Sequence, residues 1–140
     1  MIFDAAGAYD PDALHAQALE LALRRGGLRT LAMSVAVDPA RLGRAVRALA
    51  PTAVVLTGTG APMDVWGRLV YAARAGERAV WVLDYRGALP DTGASTVGRL
   101  GNDALTARDL LLERLRSSAG TTVRGAAAAT VNRRAAPSAG

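Results

Sequence analysis

Three short stretches hold the side chains that could do chemistry. The first is Gly7-Ala8-Tyr9-Asp10-Pro11-Asp12-Ala13-Leu14-His15, which follows the first apolar run and contains the only histidine of the chain. The second, Thr57-Gly58-Thr59-Gly60, follows the third apolar run and offers two hydroxyls and backbone N–H groups. The third, Asp84-Tyr85-Arg86-Gly87, follows the fourth. Asp10, Asp12, His15, Thr57, Gly58, Thr59, Arg86 and Gly87 are the candidate ligand-binding residues. Their chemistry points to binding rather than turnover. One histidine leaves little for general-base work, and no Ser-His-Asp arrangement with credible geometry is present.

Each stretch also has a quieter reading. Asp10 and Asp12 are good caps for a helix that starts there. His15 falls about one turn inside that helix, where an exposed position is ordinary. Thr57-Gly58-Thr59-Gly60 ahead of Pro62 could cradle a phosphate at a helix start, but Asp64 in the first turn opposes an anion, and a simple strand-to-helix turn suffices. Arg41, Arg44 and Arg47 form a helical stripe that a solvated face explains. Trp66, Tyr71 and Trp81 are expected to pack in the core.

Composition bounds what lies around these residues. A chain of 140 residues suits one domain, and a 51% hydrophobic content is enough for a core. There is no cysteine, which excludes disulfides, thiolate metal sites and a cysteine nucleophile. No apolar run approaches the roughly 20 residues of a membrane helix, and Met1-Ile2-Phe3-Asp4 lacks the basic start of a signal peptide. A cytoplasmic protein with no membrane partner is expected. All 17 basic residues are arginine, and the net charge is +5. Part of that excess lies in Arg124, Arg133 and Arg134, so direct nucleic-acid binding by the domain is not expected.

The elements that must position the candidate residues follow from periodicity and punctuation. Met1–Ala6 reads as a strand. Asp12–Arg25 reads as a helix with Leu14, Ala18, Leu21 and Ala22 as its apolar stripe, closed by Gly26-Gly27. Leu28–Val35 is a second strand, with Leu31, Met33 and Val35 alternating. Asp38-Pro39 starts a helix running to about Leu49, with Leu42, Val46 and Leu49 inward. Ala53–Leu56 is a third strand, and Pro62 opens a helix to about Ala75. Ala79–Leu83 is a fourth strand, Thr96–Leu100 a weak fifth. Asn102 or Asp103 caps a last helix to about Arg116, packed through Leu105, Leu112 and Leu115.

Strands alternating with helices predict a three-layer α/β sandwich of flavodoxin-like, Rossmann type. Its five parallel strands would run in the order 2-1-3-4-5, which sets the first and second candidate loops side by side at the topological switch point, where ligands bind. Residues 1–118 form the domain in this reading. Residues 119–140, rich in Ala, Gly, Ser, Thr and Arg, are expected to be a disordered tail.

The succession of an Asp-rich loop, a helix ending in glycine, an Asp-Pro helix, a Val-Val-Leu-Thr strand and Trp-Val-Leu-Asp-Tyr-Arg-Gly-Ala-Leu-Pro resembles the cobalamin-binding domain over about Met1 to Arg116. In particular it is similar to the version fused to MerR-type DNA-binding domains. The family's signature, Asp-x-His-x-x-Gly, supplies a histidine ligand to cobalt and an aspartate that orients it. Counted back from Gly27, the matching positions are Asp10, Asp12 and His15, so the ligand position holds Asp12 and the glycine position holds His15. In a loop shifted by a few residues His15 would be the metal ligand. Carboxylate is a hard ligand poorly matched to a corrinoid's axial site. The resemblance also implies that Thr57 and Thr59 face the cofactor's nucleotide tail and that Arg86-Gly87 stands where the family often has Gly-Gly.

The resemblance implies a non-enzymatic sensory or regulatory domain with cobalamin as the possible cofactor. A DNA-binding regulator domain or protein would be its partner, and self-association is possible. No helix-turn-helix segment precedes the domain in these residues, so that partner would come from a longer chain or a separate one. One alternative is the small cobalamin-carrying subunit of a mutase or a corrinoid methyltransferase. Another is a protein-interaction module that has lost its ligand. A phosphorylated receiver domain is excluded, because Thr57 stands where that fold needs an aspartate and the chain has no lysine.

Overall fold

The computed structural model describes residues 1–4, 12–34, 38–58, 62–87 and 96–134, with side chains as far as residue 119. Its elements run β1 (Ile2–Asp4), α1 (Asp12–Arg25), β2 (Ala32–Ser34), α2 (Pro39–Leu49), β3 (Ala53–Thr57), α3 (Met63–Gly76), β4 (Trp81–Asp84), β5 (Gly98–Arg99) and α4 (Ala104–Arg134). The five strands form one sheet in the order β2-β1-β3-β4-β5, and every pairing is parallel. This is the flavodoxin-like α/β arrangement the alternation predicts. α1 packs against β1 and β2 on one face of the sheet, and α2 and α3 cover the other, the arrangement right-handed crossovers favour.

The punctuation acts as expected. Asp38 caps α2 by accepting from the Ala40 N–H at 2.9 Å, with Pro39 in the first turn. Gly27, at φ +83°, closes α1, and the Leu28 N–H reaches back to the Leu23 carbonyl at 3.0 Å. Asp103, not Asn102, caps α4: its carboxylate accepts from the Thr106 N–H at 2.8 Å and from the Thr106 hydroxyl at 2.9 Å.

The strands alternate between the two layers. Phe3, Val54, Leu56 and Val82 face α2 and α3, where they join Leu42, Val46, Trp66, Leu69 and Ala73 in one buried cluster. Their neighbours Ile2, Val55 and Leu83 are buried on the opposite face. The chain divides into two compact units, Met1–Arg108 and Asp109–Gly140; the sheet, α1, α2 and α3 all belong to the first.

Several expected packing faces differ. In α1 the buried residues are Asp12, Ala16, Leu19, Ala22 and Leu23; Leu14 is 71% exposed and Leu21 is exposed too. Eight of the fourteen residues of the helix are Ala or Leu, spread around its circumference, so several stripes satisfy the 3.6-residue period and the pattern alone cannot select one. Leu31 is exposed just ahead of the edge strand β2, and Val35 lies outside the described residues. Leu49 is exposed at the end of α2, where Ala50 turns the chain in a left-handed conformation at φ 42°. Tyr71 is 76% exposed on α3, whereas Trp66 is in the core and Trp81 is half-buried. In α4 the buried side chains are Ala107 and Leu111, not Leu105. The α4 backbone continues past Arg116 to Arg134, through a stretch whose alanines favour helix.

Candidate functional site

The carboxyl edge of the sheet collects buried polar groups. β1 ends on Asp4, β3 on Thr57 and β4 on Asp84, all almost wholly buried. Register places Asp4 beside Thr57, on the α1 side of the sheet. Asp84 pairs in register with Leu56 and with Arg99, on the α2–α3 side. The Asp84 carboxylate meets the Arg99 guanidinium at 3.1 Å. The Thr57 hydroxyl is fully buried and has no hydrogen-bond partner among the described residues, a costly state for a polar group in the interior.

Asp12 opens α1 and is buried. Its Oδ1 accepts from Nε of Arg86 at 3.2 Å. Arg86 follows β4 in a left-handed conformation, φ 70°, and Gly87 continues it at φ 65°. The turn is pinned by the Arg86 N–H, which donates to the Gly101 carbonyl at 2.8 Å. A Cβ on Gly87 would meet nothing within 4 Å among the described residues. Burial raises the Tyr85 phenol above its ordinary value; Arg86 opposes this and Asp103 adds to it. The phenol donates to the Asn102 carbonyl at 3.4 Å.

The candidate residues therefore divide. Asp12 and Arg86 meet directly. Thr57 and Gly58 end the neighbouring strand β3, and Gly58 is left-handed at φ 107°. His15 sits on an exposed part of α1, one turn after Asp12. Asp10 and Thr59 lie outside the described residues. Sequence reasoning missed Asp4 and Arg99 and treated Asp84 only as a neighbour of the third loop. An acid closing an apolar strand, as in Ile2-Phe3-Asp4 and Trp81-Val82-Leu83-Asp84, is the signal that could have found two of them.

A corrinoid held by a protein histidine does not fit these residues. The position that the resemblance aligns with a cobalt ligand is the Asp12 carboxylate, and that carboxylate is engaged by Arg86. The imidazole of His15 lies on the outside of the helix. Among the described residues no group of three or more His, Asp or Glu side chains could hold a metal ion. A cavity of about 190 Å³ lined by Asp4, Gln17, Glu20 and Met33 lies between α1 and the β1–β2 strands. It is below the size of usual ligand pockets, roughly 300–1,000 Å³.

No described helix is long and apolar enough to cross a membrane. Comparison with protein-family models, with characterised proteins and with solved structures finds no match to this chain, so the functional reading rests on the residues and geometry above.

Proposed function

We propose that this chain is a non-enzymatic regulatory domain on a cobalamin-binding type of scaffold. It would act in the cytoplasm with a DNA-binding partner. Its ligand site would lie over the carboxyl ends of β1, β3 and β4, at Asp12, His15, Thr57, Gly58, Arg86 and Gly87, with Asp10 and Thr59 completing the loops. Histidine ligation of cobalt is impaired in this reading. The observation that supports it is the Asp12–Arg86 ion pair, which ties the start of α1 to the turn after β4 and engages the side chain at the ligand position. Among the described residues, the open backbone at Gly87 and the unpartnered Thr57 hydroxyl favour a polar, flat ligand nearby.

The test is an absorbance spectrum after incubation with hydroxocobalamin, methylcobalamin and adenosylcobalamin, followed by gel filtration. The wild type is expected to show no imidazole-ligated spectrum. Asp12→His combined with His15→Gly rebuilds the signature and is expected to gain one. Tight wild-type binding with an imidazole-ligated spectrum that His15→Ala abolishes would make His15 the ligand and overturn the assignment. If neither protein retains any corrinoid, the sensor reading gives way to a module for protein contacts. The mutase or methyl-carrier reading needs cobalt ligation, and the engaged Asp12 carboxylate weighs against it.

A further inference from the structure

Away from the carboxyl edge, the outer surface of α2 and α3 carries a groove of about 640 Å³. Small residues, Gly43, Gly67 and Ala72 among them, line it together with Arg44, Arg47, Arg68, Asp64 and Tyr71 at its rim. The helices come close because Gly43 lies against the Ala72 carbonyl, where a Cβ would sit 3.3 Å from the oxygen. That contact explains Gly43. It does not explain Gly67, which is inside α3, is exposed, and among the described residues has nothing within 4 Å of where its Cβ would be. Glycine inside a helix costs stability relative to alanine, and here no packing requires it. Its effect is to leave the trench open.

The rim is cationic. Arg44 and Arg68 approach Asp38 and Asp64 only at 3.9 and 3.7 Å, in pairs that are mostly in water. Such pairs are weak and leave both guanidiniums available. Arg47 is exposed beside them. Tyr71, 76% exposed, stands at the same rim, and an exposed aromatic beside arginines is the composition of a contact surface.

We propose that this groove receives an acidic amphipathic helix of a partner protein. The apolar face of such a helix would cover the small residues and Tyr71, and its carboxylates would meet Arg44, Arg47 and Arg68. Nucleic acid fits less well: phosphates would satisfy the rim but leave the small apolar residues uncovered and would face Asp64. A second copy of this chain fits less well too, since its net charge of +5 opposes the arginine rim.

The test uses the full chain as bait for a displayed library of peptides of about 15 residues, long enough to form a helix. Selected peptides are then measured by fluorescence anisotropy. Enrichment of Asp and Glu alternating with apolar residues at helical spacing is expected. Affinity should fall roughly tenfold or more in Arg47→Glu and in Gly67→Gln, with circular dichroism unchanged, and should weaken with salt. Glutamine is a better helix former than glycine, so Gly67→Gln fills the trench without threatening the fold. Failure to enrich acidic peptides, or binding indifferent to both variants, overturns the proposal. So does a duplex DNA oligonucleotide that binds with the same dependence on the two variants, or a dimer in gel filtration that Gly67→Gln dissolves.

Discussion

Nε of Arg86 lies 3.2 Å from Oδ1 of Asp12, across 74 residues of sequence. The pair joins the start of α1 to the turn after β4, and both side chains are largely out of water. Arg86 holds this contact from a left-handed backbone, φ 70°, which is unfavourable for any residue with a Cβ. The contact and the strain therefore oppose each other at one residue.

That opposition can be measured. Arg86→Ala removes the guanidinium but keeps a Cβ at positive φ, and is expected to cost about 1–3 kcal/mol through the buried Asp12 carboxylate. Arg86→Gly removes the guanidinium and the strain together. It should be less destabilising than Arg86→Ala by about 1 kcal/mol. Denaturant unfolding of both variants checks the order, and equal losses would mean that the left-handed turn is not strained. A double-mutant cycle with Asp12→Ala should return a coupling on the order of 1 kcal/mol.

The glycines of α3 should respond in opposite directions. Gly67→Ala adds a methyl group in open space and is expected to stabilise by about 0.5–1 kcal/mol. Gly76→Ala would set a Cβ 2.9 Å from both the Gly43 carbonyl oxygen and Cγ1 of Val46. Backbone cannot yield cheaply, so a loss of about 1–3 kcal/mol is expected. Thermal melts of the two variants side by side test this, and a stabilised Gly76→Ala would show that α2 can move away from α3.

The strand order was legible because Gly and Pro punctuate the chain and the strands are short apolar runs between helices. Asp38-Pro39 and Gly26-Gly27 act locally, and local signals survive in any tertiary context. The burial of α1 was not legible, because Ala and Leu surround that helix and the choice of face is made by the sheet. The site was half legible. Asp12 and Arg86 each stood out as polar residues in candidate loops, but nothing in a single sequence links two residues so far apart. The groove was invisible for a related reason: Arg44 and Arg47 read as a solvated stripe, and Tyr71 as core, until α3 was set beside α2.

Tyr85 should give the fold an alkaline limit. Its phenol titrates above the ordinary 10.0 because of burial, with Arg86 opposing and Asp103 adding. An acid held in its neutral form by the fold stabilises fully below its unfolded value, and that contribution is lost as pH rises from there through the raised folded value. The chain has no lysine and three tyrosines, so few other side chains titrate in this range. Stability followed by denaturant midpoint is expected to fall above about pH 10. Tyr85→Phe should flatten that fall while costing little near neutrality, since the 3.4 Å bond to the Asn102 carbonyl is long. An alkaline limb unchanged in Tyr85→Phe would assign it to another group.

The stretch after Ser118 tests how much of α4 the fold needs. The helix runs on to Arg134, yet residues 119–140 contain only Val123 and Val131 as apolar side chains larger than alanine. Ordering backbone costs roughly 1–2 kcal/mol per residue, and a helix without an apolar face gains little from packing to offset it. Removing residues 119–140 is therefore expected to leave the thermal midpoint nearly unchanged. A drop of more than about 5 °C, on the order of 1 kcal/mol for a domain of this size, would mean that this stretch docks. Val123→Ser and Val131→Ser in the full chain would then identify the anchor, since only a docked valine should reproduce part of the loss.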